Sequence, residues 1–95
     1  MTNQTNPADT VVEAISPLVV ANVLSAIHRY ECMANRNVRS VQAWYALADR
    51  LYDACDVAKA YNVAPSIVQC ALDRAHCAAC KARRIRRVQL IGGGL

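Results

Sequence analysis

Residues 56–72 read Asp56-Val57-Ala58-Lys59-Ala60-Tyr61-Asn62-Val63-Ala64-Pro65-Ser66-Ile67-Val68-Gln69-Cys70-Ala71-Leu72, and the fold turns on the four residues at its middle. Asparagine tolerates the left-handed backbone that closes a helix, so Asn62 marks an end. Proline has a fixed φ and no N–H to leave unbonded, so Pro65 suits the first turn of the next helix. Helix, short turn, helix is the plan this predicts for the second half.

Upstream, Val41, Trp44, Ala48, Leu51, Cys55 and Ala58 recur at helical period. They predict a helix from near Ser40 to Tyr61, either continuous or broken near Asp53–Asp56. Downstream, Val68, Leu72, Ala75, Ala79 and Ala82 form one apolar face of a helix reaching about Arg86. Nearer the start, Ser16-Pro17 offers an N-cap followed by a first-turn proline. Val20, Val23, Leu24, Ile27 and Tyr30 then follow at i, i+3, i+4 spacing until Asn35-Arg36-Asn37. Ala8 to Ile15 reads as a short separate helix, and residues 1–7 as a flexible lead-in. Val88-Gln89-Leu90-Ile91 reads as a short strand or apolar tether, and 88–95 as a flexible tail ending in three glycines.

The expected architecture is therefore all-α: a single domain, a compact bundle of three main helices near 16–35, 40–61 and 65–86. Trp44, Leu47, Leu51, Leu24, Ile27, Val68 and Leu72 are the expected core. Composition agrees, because 55% of the 95 residues are hydrophobic while Pro and Gly number only three each. No stretch has the roughly 18–20 apolar residues needed to cross a bilayer, and the start lacks the regions of a signal peptide. A cytoplasmic location is expected, with Cys32, Cys55, Cys70, Cys77 and Cys80 as thiols. A core of alanine and valine with no Phe is thin for this length, which points to a homodimer.

The quoted stretch resembles the helix-turn-helix of the lac-repressor family. Val57 and Ala58 match that pattern's Val-Ala pair, Val63 its apolar residue after the turn, and Val68 and Leu72 the buried side of its second helix. Asn62 stands where the pattern has glycine, Ala64 where it has a serine cap, and Ile67 where it has threonine. The resemblance implies DNA binding, with Ser66 and Gln69 as the side chains able to read bases. Pro65, Cys70 and Asp73 take the other outward positions. It covers these 17 residues and no more of that family's architecture.

Charge gives a second, independent pointer. Residues 1–73 carry five Lys/Arg against seven Asp/Glu, a net −2, whereas residues 74–95 carry six cations and no acid. Those six are Arg74, Lys81, Arg83, Arg84, Arg86 and Arg87. Dipole compensation at a helix end needs one or two cations, so this block predicts a surface for phosphates or for an acidic protein.

Metal and catalysis have weaker support. His28-x-x-x-Cys32 and His76-Cys77-x-x-Cys80 contain ligand types at helical spacing, yet helical pairs lack the tight knuckle of most zinc sites, and no metal or other cofactor is assigned. No glycine-rich phosphate loop, His–carboxylate pair at helical spacing or nucleophile motif is present. The expected function is a small non-enzymatic DNA-binding regulator, of the kind phages and mobile elements encode. The competing expectation is a small helical inhibitor or adaptor that docks on a host protein complex, as anti-CRISPR proteins do.

Overall fold

Both inter-helix turns close on an asparagine, and in each case the backbone satisfies the carbonyls that the helix leaves open. A computed structural model describes residues 7–93, as α1 (Pro7–Asn35), α2 (Val41–Ala60) and α3 (Pro65–Gly93). Asn37 ends α1 at φ 54°, and Asn62 ends α2 at φ 56°. After α1, Val38 N–H donates to Met33 O at 3.1 Å and Asn37 N–H to Ala34 O at 3.1 Å. After α2, Val63 N–H donates to Ala58 O at 3.0 Å and Asn62 N–H to Lys59 O at 3.2 Å. Both are Schellman closures with asparagine in glycine's usual place.

The start of α2 is capped by Ser40, in extended conformation, whose Oγ accepts from Ala43 N–H at 3.1 Å. α2 then runs unbroken through Asp53–Asp56. α3 begins at Pro65 without a side-chain cap in the preceding position; Ala64 offers only its carbonyl, which accepts from Ile67 and Val68 N–H.

The bundle is all-α with three main helices, as the apolar stripes predict. α2 packs most extensively on α3, and α1 covers the pair. Trp44, Leu47, Leu51, Ile27 and Val68 are buried as expected. Trp44 anchors the core: its indole N–H donates to Val38 O at 2.7 Å, and Tyr30 meets it edge to face with centroids 5.6 Å apart.

Four expectations need correcting. Ser16-Pro17 does not start a helix, because α1 runs from Pro7 through Pro17 without interruption. An interior proline removes one hydrogen bond and crowds one carbonyl, which strains a helix but need not end it when both flanks favour helix. Leu24 is not core but half exposed. The buried face of α1 centres on Val19, Val23, Ala26, Tyr30 and Met33, a 4-3-4-3 spacing that turns Leu24 towards solvent. In α3 the fully buried residues are Ala71, Ala75, Ala78 and Ala82, while Leu72 and Ala79 are only partly covered. The face is turned towards the small residues because alanine lets neighbouring backbones approach closely. Finally, 88–91 is neither strand nor tether: α3 continues to Gly93. Of the lead-in expected at 1–7, Pro7 already belongs to α1, and of the tail expected at 88–95, residues 88–93 belong to α3; residues 1–6 and 94–95 lie outside the described part of the chain.

Candidate nucleic-acid interface

The direction of the helices decides which charges meet. α2 and α3 run antiparallel side by side: Cys55 Sγ lies 3.7 Å from Val68 O, Tyr52 Oη 2.8 Å from His76 Nδ1, and Lys81 Nζ 5.5 Å from the Trp44 ring centroid. This is an αα-hairpin. A DNA-reading helix-turn-helix joins its helices at about 90–120°. The turn chemistry of the motif is thus present at 61–64, in a hairpin setting.

An up-down-up bundle brings the α1–α2 turn to the same end as the C-terminal half of α3. Arg39 shares one surface depression with Lys81 and Arg84 and another with Arg86. Arg36 sits in the same turn. The cations of α3 therefore gain Arg39 as a neighbour, with Arg36 three residues before it, from a segment that looked electrically ordinary. Residues 32–48 and 74–95 together hold eight Lys/Arg and no Asp/Glu, whereas the rest of the chain holds three against seven. Arg36 and Arg39 were missed because charge was read along the chain. Helix direction was the signal that could have found them: with three antiparallel helices, that turn must lie beside the end of α3.

The individual side chains differ in how free they are. Arg83, Arg84, Arg86 and Arg87 are exposed, with Arg83 Nη2 3.3 Å from Cys80 Sγ one turn back. Lys81 is partly buried, its ammonium over Trp44. Arg74 lies further down α3, half buried, with its guanidinium 5.7 Å from the Tyr30 ring centroid. Burial raises the Tyr30 hydroxyl above its ordinary pKa. Its neighbour Cys77 adds to this, and Arg74 pulls the other way.

Ser66 and Gln69 are exposed on the first turns of α3. The Gln69 amide donates to Asp73 Oδ1 at 2.9 Å, so it is already engaged on its own helix. At 1.5 Å per residue, Ser66 lies about 25 Å along the axis from Arg83. Ser66 and Gln69 are thus at the opposite end of α3 from the basic cluster. The two His/Cys pairs stay apart as well. His28 Nε2 faces Cys32 Sγ at 3.4 Å, His76 pairs with Tyr52, and among the described residues no three His, Cys, Asp or Glu converge on a metal position.

Between the α1–α2 turn and α3 lies a cleft of about 280 Å³. Ala34, Val38, Trp44, Ile85 and Val88 line it together with Asn37 and Gln89, and Arg39, Lys81 and Arg84 supply its cations. Among the described residues no helix is long and apolar enough to cross a membrane. Comparison of the chain with protein families, curated proteins and solved structures gives no match.

Proposed function

We propose that this chain is a small DNA-binding protein that grips the phosphate backbone with the basic end of its bundle. The supporting observation is that Arg39 shares surface depressions with Lys81, Arg84 and Arg86, with Arg36, Arg83 and Arg87 close to them in sequence, in two segments that contain no Asp or Glu. Guanidinium groups bind phosphate oxygens in bidentate fashion, and a cluster on a rigid helix loses little freedom in doing so. Ser66 and Gln69, about 25 Å away along α3 by helix rise, are assigned at most a minor role in sequence preference. Regulation of gene expression by a dimer remains the broader reading.

Binding of a 20-base-pair duplex, followed by fluorescence anisotropy from 50 to 200 mM salt, tests the proposal. Affinity should fall steeply with salt, and replacing Arg83, Arg84, Arg86 and Arg87 by alanine should reduce the log–log slope by roughly 3–4. Arg36→Ala with Arg39→Ala should take off about 2 more. Ser66→Ala with Gln69→Ala should leave nonspecific affinity nearly intact. A slope near zero in the unaltered protein would remove the proposal.

One observation favours the competing protein-partner reading. Val88, Leu90 and Ile91 are 58, 69 and 69% exposed, directly beyond the arginines. An apolar tip flanked by cations suits an acidic protein surface with a hydrophobic centre. That reading predicts weak duplex binding and loss of the partner on Leu90→Gln.

A further inference from the structure

The cleft at the basic end sets apolar side chains beside clustered cations. Ala34, Val38, Trp44, Ile85 and Val88 line it with Arg39, Lys81 and Arg84, and Asn37 and Gln89 complete the lining. The Trp44 N–H is already bonded to Val38 O, so the indole offers the cleft no unsatisfied donor. No Asp or Glu is among the residues around it. Lys81 is held partly buried, 5.5 Å from the Trp44 ring centroid, so one cation is placed over that ring before any ligand arrives.

Apolar side chains beside clustered cations are complementary to an apolar body carrying one anionic group. Free duplex DNA does not fit that description, because its phosphates are not attached to an exposed hydrocarbon surface. Size narrows the class further. A cavity of roughly 150 Å³ accommodates benzene, so this one has room for about two fused rings or a hydrocarbon chain of similar bulk.

We infer that the cleft binds a small amphipathic carboxylate, its carboxylate between Lys81 and Arg84 and its apolar body against Ala34, Val38 and Ile85. Such a ligand withdraws two cations from the basic end. Its occupancy therefore weakens the attraction for phosphates, a coupling that rests on the DNA-binding reading.

The probe is 2-naphthoate, with 2-naphthalenemethanol as its neutral counterpart, each titrated into the full chain by calorimetry without DNA. Trp44 is the single tryptophan, so its indole N–H gives one resonance that reports on the cleft. Saturable binding of the carboxylate, at least tenfold tighter than the alcohol, with a matching shift of that resonance, is the expected result. Lys81→Gln with Arg84→Gln should abolish the preference for the anion while leaving helical circular dichroism unchanged. Equal binding of the two probes, an unmoved Trp44 resonance or full retention of the preference in the double variant would each overturn the inference. Saturating 2-naphthoate should then lower the salt slope of duplex binding by up to about 2 units. An unchanged slope would overturn the coupling alone. Absence of duplex binding would remove the DNA reading while leaving the DNA-free titration to decide the cleft.

Discussion

Asn37 and Asn62 hold backbone angles that cost most L-residues about 1–2 kcal/mol, and each does so where a helix must stop. Asn62→Gly should therefore be neutral or slightly stabilising, while Asn62→Val should destabilise by about 1–2 kcal/mol in urea unfolding. Equal stability of the two variants would show that the turn does not depend on a left-handed residue. Cys55 and Tyr30 each contribute a pH dependence to stability. Burial raises the thiol of Cys55, with Asp56 adding to the shift and Lys59 opposing it, and burial also raises the phenol of Tyr30. A raised folded pKa means that the unfolded chain loses its proton first as pH increases. The contribution is complete below the ordinary values of about 8.5 for a thiol and 10 for a phenol, and is lost as pH rises through the folded values. The melting temperature should accordingly fall as pH rises above about 8.5, and Cys55→Ala should make that fall shallower. An equal decline in the variant would place the effect elsewhere.

Helix α3 is the element whose packing leaves least room for change. Ala71, Ala75, Ala78 and Ala82 are fully buried at 4-3-4 spacing, so their methyl groups set the distance to the neighbouring helices. Ala78→Leu should cost about 1–3 kcal/mol by overpacking. Leu24→Gln, on the exposed side of α1, should change stability by less than about 0.5 kcal/mol in the same chemical-denaturation measurement. A reversed order would contradict the assigned faces. The contrast explains what the sequence could disclose. Stops at Asn37 and Asn62, the helix start near Ser40 and the Pro65 start are local chemistry, and all were legible. The rotation of each face was not, because hydropathy ranks Leu24 and Leu72 above alanine whereas close helix contact selects alanine. Pro17 misled for a related reason: a favourable start signal does not forbid continuation when the preceding residues are also helical. The arginines of α3 were visible as a run, but Arg36 and Arg39 joined them only once helix direction was known.

For the whole molecule the open question is association. Trp44 is the largest fully buried side chain, and the chain has no Phe to add to it. The far end of α3 leaves Val88, Leu90 and Ile91 exposed. A dimer joined there would bury them while bringing two sets of arginines close together. Added salt should therefore favour it by screening the repulsion, the opposite of its effect on duplex binding. Light scattering at high micromolar concentration should give a greater mass at 500 mM than at 50 mM salt, and Leu90→Gln with Ile91→Gln should return it to one chain. A single-chain mass in both conditions would exclude the dimer.

The separation of eight cations in two neighbouring segments from seven carboxylates elsewhere has a kinetic meaning as well. A body with such lopsided charge experiences a torque in the field of a polyanion. It turns while still approaching, and meets the surface with its basic end forward. Fewer collisions are then wasted on unproductive orientations, and focused fields of this kind raise on-rates by about 10–10³. Replacing Arg83 and Arg84 by glutamine should slow arrival at duplex DNA more than replacing Arg29 and Lys59 does, because the net charge changes equally while only the first pair weakens the torque that aims the molecule.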